Sequence, residues 1–234
     1  EHIGATIMKN KIEVCGVMLD NLTVGEMMQA LEESFGNGRL YSVQYIYSDL
    51  LRNAIEDEAV KEVVESADMT VIGEPAVAEV FDSCALTVDE IANYEFTKAM
   101  LRFLEQQGKT VYWLGESEQA YEVFRAYLDK HYAGLQTVGA FVTDLRESGT
   151  EEIVNDINRV TPDVIFSRLS SPYQEQFFAL SRPLMNAQVW FAMGSKMNIS
   201  SQNATASSKI KAMIDKTILK RLAANQKKSE DDPV

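Results

Sequence analysis

The sequence predicts an α/β domain, a mainly parallel sheet with helices on both faces. Three observations predict it. Short apolar runs alternate with amphipathic stretches of ten or more residues along most of the chain. Residues 162–199 hold a strand, a helix and a strand: Val164–Phe166, Tyr173–Leu184 and Val189–Met193. Such a unit is nearly always right-handed and parallel. The chain has 234 residues, 46% of them apolar, enough for one large α/β domain or two small ones.

The elements follow in order. Residues 1–7, EHIGATI, read as a leader or tag remnant before a natural start at Met8, which places the domain at 8–199. Ile12–Met18 is a strand candidate. Asp20 to Thr23 form a turn ending in a helix N-cap, with Glu26 completing a capping box. Met27, Met28, Leu31 and Phe35 give the helix an apolar stripe, and Gly36-Asn37-Gly38 stops it. Leu40–Tyr45 is the second strand. Ser48–Asn53 and Asp57–Ser66 are helical, and Met69–Ile72 is a third strand ending at Gly73-Glu74-Pro75. Residues 82–93 read as mixed, with loop character. Tyr94–Gln107 is an amphipathic helix closed by Gly108. Thr110–Leu114 is a strand, 118–131 a helix and Leu135–Val138 a strand; a helix near 150–159 leads into the unit at 162–199.

The loop after Phe166 carries Arg168, Ser170, Ser171, Gln174 and Glu175. In open parallel sheets ligands bind at the carboxyl ends of strands, where such loops sit. The same residues also fit a helix cap, with Ser170 or Ser171 capping and Pro172 at the first helical position. Glu74, an acid beside a strand-ending Gly, fits a site edge or an ordinary turn.

Charge and cysteine usage narrow the function classes. A net charge of −13 argues against non-specific binding of nucleic acid by the body of the chain. Cys15 and Cys84 make no disulfide framework and read as reduced core thiols. No apolar run reaches the roughly 18–20 residues of a membrane span. These features place the protein in the cytoplasm. No Walker or GxGxxG glycine pattern is present, and neither cofactor nor metal is expected.

Asn198–Ser208 is a polar linker, and residues 200–234 read as linker plus appendage. Beyond the linker, Ile210, Met213, Ile214, Ile218 and Leu222 share one helical face. Residues 209–228 hold seven basic residues and one acid, which leaves −19 on the rest of the chain. A basic amphipathic helix with Lys209, Lys211, Lys216, Lys220 and Arg221 suits an anionic membrane surface. It equally suits docking on an acidic body or on a neighbouring subunit.

The segments GVMLDNLTVGE, SADMTVIGEPAV, VYWLG, YAGLQTVG and PDVIFSRLSSPYQEQF occur in this order across residues 12–199. In order and spacing they resemble the bacterial N-acetylmannosaminyltransferases, the WecG/TagA/CpsF glycosyltransferases. The resemblance implies a Rossmann-like fold. It also implies transfer of N-acetylmannosamine from a UDP-sugar to an undecaprenyl-diphosphate-linked sugar in wall or surface polysaccharide synthesis. A carboxylate would act as base, and the basic appendage would hold the protein at the inner face of the bacterial membrane.

The departures fall at the family's chemical positions. Its Thr-x-Asn is Ser42-Val43-Gln44 here, and its Asp-Gly with the catalytic Asp is Gly73-Glu74. The Arg of its Glu-Arg-Val-x-Gly-Ser-Asp segment is lost from residues 89–95. Gly-Leu-Gly-x-Pro-Lys-Gln-Glu has become residues 168–175, keeping Pro172, Gln174 and Glu175 but losing Lys. Gly-Gly-x-Phe-Asp has become residues 194–198. Two readings follow from the resemblance. In an active transferase Glu74 is the base, Ser42 and Gln44 contact the acceptor, Gln174 and Asn198 the donor, and Glu175 is a further substrate-binding residue. In the other, the chain is a catalytically inactive homologue acting as a binding or scaffold subunit, self-associated or paired with an active relative. Under either reading Ser42, Glu74, Gln174 and Asn198 are expected to converge at one end of the sheet.

Overall fold

The computed structural model describes residues 10–80, 83–143 and 149–199, with positions 217, 220 and 224. The chain opens with a two-stranded antiparallel hairpin, β1 (Lys11–Val14) and β2 (Val17–Asp20). This corrects the expectation of one strand over 12–18 within the parallel sheet. Cys15 and Gly16 take φ of 51° and 76°, so two consecutive left-handed residues fold the chain back on itself. The helix α1 (Val24–Ser34) follows behind the expected Thr23–Glu26 capping box.

Six strands then build one parallel sheet: β3 (Tyr41–Ile46), β4 (Met69–Ile72), β5 (Thr110–Gly115), β6 (Gln136–Val142), β7 (Val164–Arg168) and β8 (Val189–Ala192). Their order is β4-β3-β8-β7-β5-β6, and every pairing is parallel. The inner strands are apolar on both sides because helices cover both faces. One face packs Val43, Trp113, Phe166 and Phe191 against Leu31, Leu101 and Leu128. The other packs Tyr112, Ile165 and Trp190 against Ile153, Ile157 and Phe177.

The helices between strands are α2 (Ser48–Glu56), α3 (Glu58–Glu65), α4 (Pro75–Ala78), α5 (Val88–Ala92), α6 (Glu95–Gln106), α7 (Glu118–His131), α8 (Thr150–Val160) and α9 (Tyr173–Ser181). A 3-10 turn, Arg182–Leu184, extends α9. The stretch read as mixed at 82–93 contains α5, started by a Thr87–Glu90 capping box. Neither Ser170 nor Ser171 caps α9, contrary to one sequence reading. Pro172 is its N-cap residue and lends no side-chain bond.

β5 is followed by its neighbour β6 on one side, while β7 is followed by β8 on the other. The topology therefore reverses between β5 and β7, where open α/β sheets form a ligand crevice. The expected helix over 209–226 lies outside the described residues, save that Thr217, Lys220 and Ala224 are helical and exposed.

Candidate functional site

The carboxyl end of the sheet is built by the residues that leave each strand. Tyr47 follows β3, Gly73 and Glu74 follow β4, and Gly194 to Lys196 follow β8. Arg168 ends β7, and Glu116 follows β5. Because Ile46 and Ile72 are register partners, Tyr47 and Gly73 emerge side by side, and Gly73 N–H continues the ladder to Ile46 O at 2.9 Å.

The Tyr47 ring turns across this end. A Cβ placed on Gly73 would lie 2.7 Å from both Cε2 and Cζ of that ring, inside any real carbon contact. Gly194 also lies beside the ring, its Cβ position 3.6 Å from Cδ2, an ordinary contact distance. Gly73 thus makes room for the tyrosine ring, whereas Gly194 is required by its left-handed backbone, φ 69°. Tyr47 is 4% exposed, and its hydroxyl has no hydrogen-bond partner among the described residues. Burial pushes that hydroxyl's pKa well above the ordinary tyrosine value.

Arg168 crosses from β7 to the loop after β8. It donates to Gly194 O at 3.4 Å and to Ser195 O at 2.7 Å. Burial pulls its pKa down. Lys196 reaches back to Ser48 Oγ at 2.9 Å, Asp49 at 3.3 Å and Glu74 at 4.0 Å. At the topological switch, Glu116 Oε1 accepts from Ser170 N at 2.6 Å and Ser170 Oγ at 2.7 Å. The space left between Tyr47, Gln174, Glu175 and Lys196 is about 10 Å³.

The sequence-predicted residues separate. Glu74 lies at the carboxyl end, but its Oε1 accepts the Ser48 N–H at the start of α2 and faces the Lys196 ammonium. Gln174 is buried in the first turn of α9. It accepts from Ser167 Oγ at 2.9 Å and donates to Glu175 Oε1 at 3.3 Å. Gln44, in mid-strand, donates to the same Glu175 oxygen at 3.2 Å. Glu175 is 1% exposed, its Oε2 accepts no bond among the described residues, and burial raises its carboxyl pKa against the pull of Ser171 and Gln174. Asn198, exposed beyond β8, donates its N–H to Tyr94 Oη at 3.2 Å.

Ser42 overturns the expected convergence. It sits at the amino end of β3, where its N–H and hydroxyl meet Asp68 Oδ2 at 2.9 and 3.0 Å. Arg39 at 2.6 Å and Arg182 at 3.2 Å complete that cluster, which ties the start of β4 to β3. The sequence reading put Ser42 at the carboxyl end of this strand, whereas it is the second residue of β3. Tyr47 and Lys196 were not singled out by sequence reasoning. The one available signal for Tyr47 was Gly73, directly after β4, where the ring leaves no room for a side chain; Lys196 had none.

Among the described residues no three His, Cys, Asp or Glu side chains gather to hold a metal ion, and no helix is long and apolar enough to cross a membrane. The doubly covered parallel sheet with polar loops at its carboxyl end defines an open α/β protein of the Rossmann-like class. A comparison with curated proteins finds no match. The chain matches the Glycosyl transferase WecG/TagA/CpsF family over residues 12–228 and belongs to that family. A sugar donor and an acceptor are therefore the substrate classes of its lineage.

Proposed function

We propose that this chain is a glycosyltransferase-family protein that no longer transfers sugar and serves as a binding or scaffold subunit. The packing over the carboxyl ends of β3 and β8, beside Glu74, carries the proposal. A small-ligand site occupies roughly 300–1,000 Å³; about 10 Å³ remains between Tyr47 and Lys196, and a space of that size, about 700 Å³, opens instead beside Phe141 and the start of α8. The smaller volume holds about one water. The base position argues the same way. One oxygen of the Glu74 carboxylate, Oε1, accepts the Ser48 N–H at the start of α2 and faces Lys196 at 4.0 Å, an arrangement that fits a structural role. Arg168 ties down the loop after β8 through two backbone carbonyls, which gives it a structural role at this end of the sheet.

One observation favours transfer. Glu74 stands beside the crevice with its side chain 18% exposed, reachable by a ligand that displaces Tyr47. Under that reading the donor is UDP-N-acetylmannosamine and the acceptor an undecaprenyl-diphosphate-linked sugar. Glu74 takes the acceptor hydroxyl proton as its oxygen bonds to the anomeric carbon and UDP departs. Gln174 and Asn198 face the donor. Under either reading, the basic segment with Lys209, Lys211, Lys216, Lys220 and Arg221 is proposed to rest on the anionic inner face of a bacterial membrane.

Thermal unfolding of the full chain with added UDP or UDP-N-acetylmannosamine tests the proposal. An unchanged midpoint supports the non-catalytic reading. A midpoint that rises with ligand concentration, as binding to the folded state requires, refutes it.

A further inference from the structure

The two edges of the sheet are treated differently. At the β4 edge, the Asp20 carboxylate, 2% exposed, accepts the Thr70 N–H at 2.8 Å. Asp20 N in turn donates to Thr70 Oγ1 at 2.6 Å, so the hairpin covers this edge and a buried acid blocks further pairing. Among the described residues the β6 edge has no such device. Its seven residues, Gln-Thr-Val-Gly-Ala-Phe-Val, include no charge and no proline. Gln136 and Thr137 are exposed, residues 138–142 are half-buried, and among the described residues only β5 pairs with the strand. An uncharged open edge of this length is a template for another strand.

The helix above that edge says which partner fits. α8 packs over β6 and carries Glu151 and Glu152 in its first turn and Arg159 in its last. Arg159 is 72% exposed while it pairs with Asp156 at 2.6 Å. An open groove of about 700 Å³ runs beside the helix, lined by Phe141, Glu151, Glu152, Asn155, Asp156 and Arg159. Antiparallel pairing of two β6 edges requires a two-fold axis perpendicular to the sheet. That axis keeps both α8 helices on one face and runs them antiparallel. Arg159 of each copy then meets Glu151 and Glu152 of the other, about Asn155 at the centre. The surface is self-complementary, as an isologous dimer contact must be.

We infer that β6 and α8 form a homodimer interface in which two six-stranded sheets join edge to edge. The inference is independent of whether the crevice is catalytic. Sedimentation velocity on the full chain, across a range of concentrations, tests it together with amide hydrogen exchange. The expected result is a mass that doubles with concentration while exchange at residues 137–142 slows in step. Arg159→Glu is expected to weaken the dimer about tenfold or more, since symmetry counts the repulsive contact twice. The double variant Glu152→Arg with Arg159→Glu is expected to restore it, and circular dichroism checks that each variant is folded. A monomer at every concentration would overturn the inference. So would a dimer indifferent to Arg159→Glu, or slow exchange at 137–142 in a monomer, which would mean the chain covers its own edge.

Discussion

The ring of Tyr47 occupies the space in which a side chain at position 73 would begin. A Cβ on Gly73 would lie 2.7 Å from two of its ring carbons, so a side chain at 73 and a tyrosine at 47 exclude each other in this arrangement. Gly73→Ala is therefore expected to destabilise the fold by about 1–3 kcal/mol, the usual range for overpacking a filled core. In a Tyr47→Leu background the same substitution should cost measurably less, because the two residues touch and their effects do not add. Denaturant unfolding of the four proteins closes the cycle, and strictly additive effects would show that the ring does not fill that space.

Glu175 gives the pH dependence its sign. Burial raises its folded-state pKa above the ordinary 4.5. In acid both folded and unfolded chains hold the proton, and the group costs nothing. As pH rises through 4.5 the unfolded chain releases its proton first, and folding loses stability until the folded pKa is passed. Glu175→Gln removes that loss. The variant is expected to match the native chain near pH 4 and to be more stable near pH 8. Parallel unfolding curves at the two pH values check this, and an equal difference at both would contradict it.

The Asp68 cluster separates structural polar groups from functional ones. Burial pushes the Asp68 carboxyl up, but bonds from Ser42 N–H and Arg39 outweigh it and hold its pKa below 3.8. Its contribution to stability is present above that pH and fades as pH falls through the folded value. Asp68→Asn should lose about 1.5–3 kcal/mol at neutral pH, as expected for hydrogen bonds to a charged group. Ser42→Ala should lose about 1 kcal/mol and leave any nucleotide response unchanged. A ligand effect from Ser42→Ala with no loss of stability would return Ser42 to the site.

Much of the architecture was legible because alternating strands and helices admit few arrangements. The buried runs at β4, β5 and β7 declared themselves by length and hydrophobicity, and Thr23–Glu26 and Gly36-Asn37-Gly38 bounded α1 as read. The hairpin at 11–20 was missed because Ile12 to Met18 reads as one apolar run, and only the left-handed pair Cys15-Gly16 breaks it. The site was less legible for a related reason. Sequence pattern assigns a residue to a strand, but two positions along β3 separate the amino end, where Ser42 binds Asp68, from the buried network that holds Gln44. Which side chain fills the space above Gly73 depends on register between β3 and β4, and no local signal carries that.

The basic segment gives an independent prediction. If it rests on anionic lipid, each Lys near the surface contributes about 1 kcal/mol. Lys216→Ala with Lys220→Ala should then weaken association with phosphatidylserine vesicles about thirtyfold. Cosedimentation measures it, and unchanged binding would favour docking on protein instead.

The most direct test of the central claim is release of UDP from UDP-N-acetylmannosamine by the full chain, with an undecaprenyl-diphosphate-linked acceptor in vesicles. The non-catalytic reading predicts release at the rate seen without protein, the same for the native chain and for Glu74→Gln. Turnover that Glu74→Gln lowers by about 10²–10⁴-fold, the usual contribution of a general base, would contradict it and establish a working transferase.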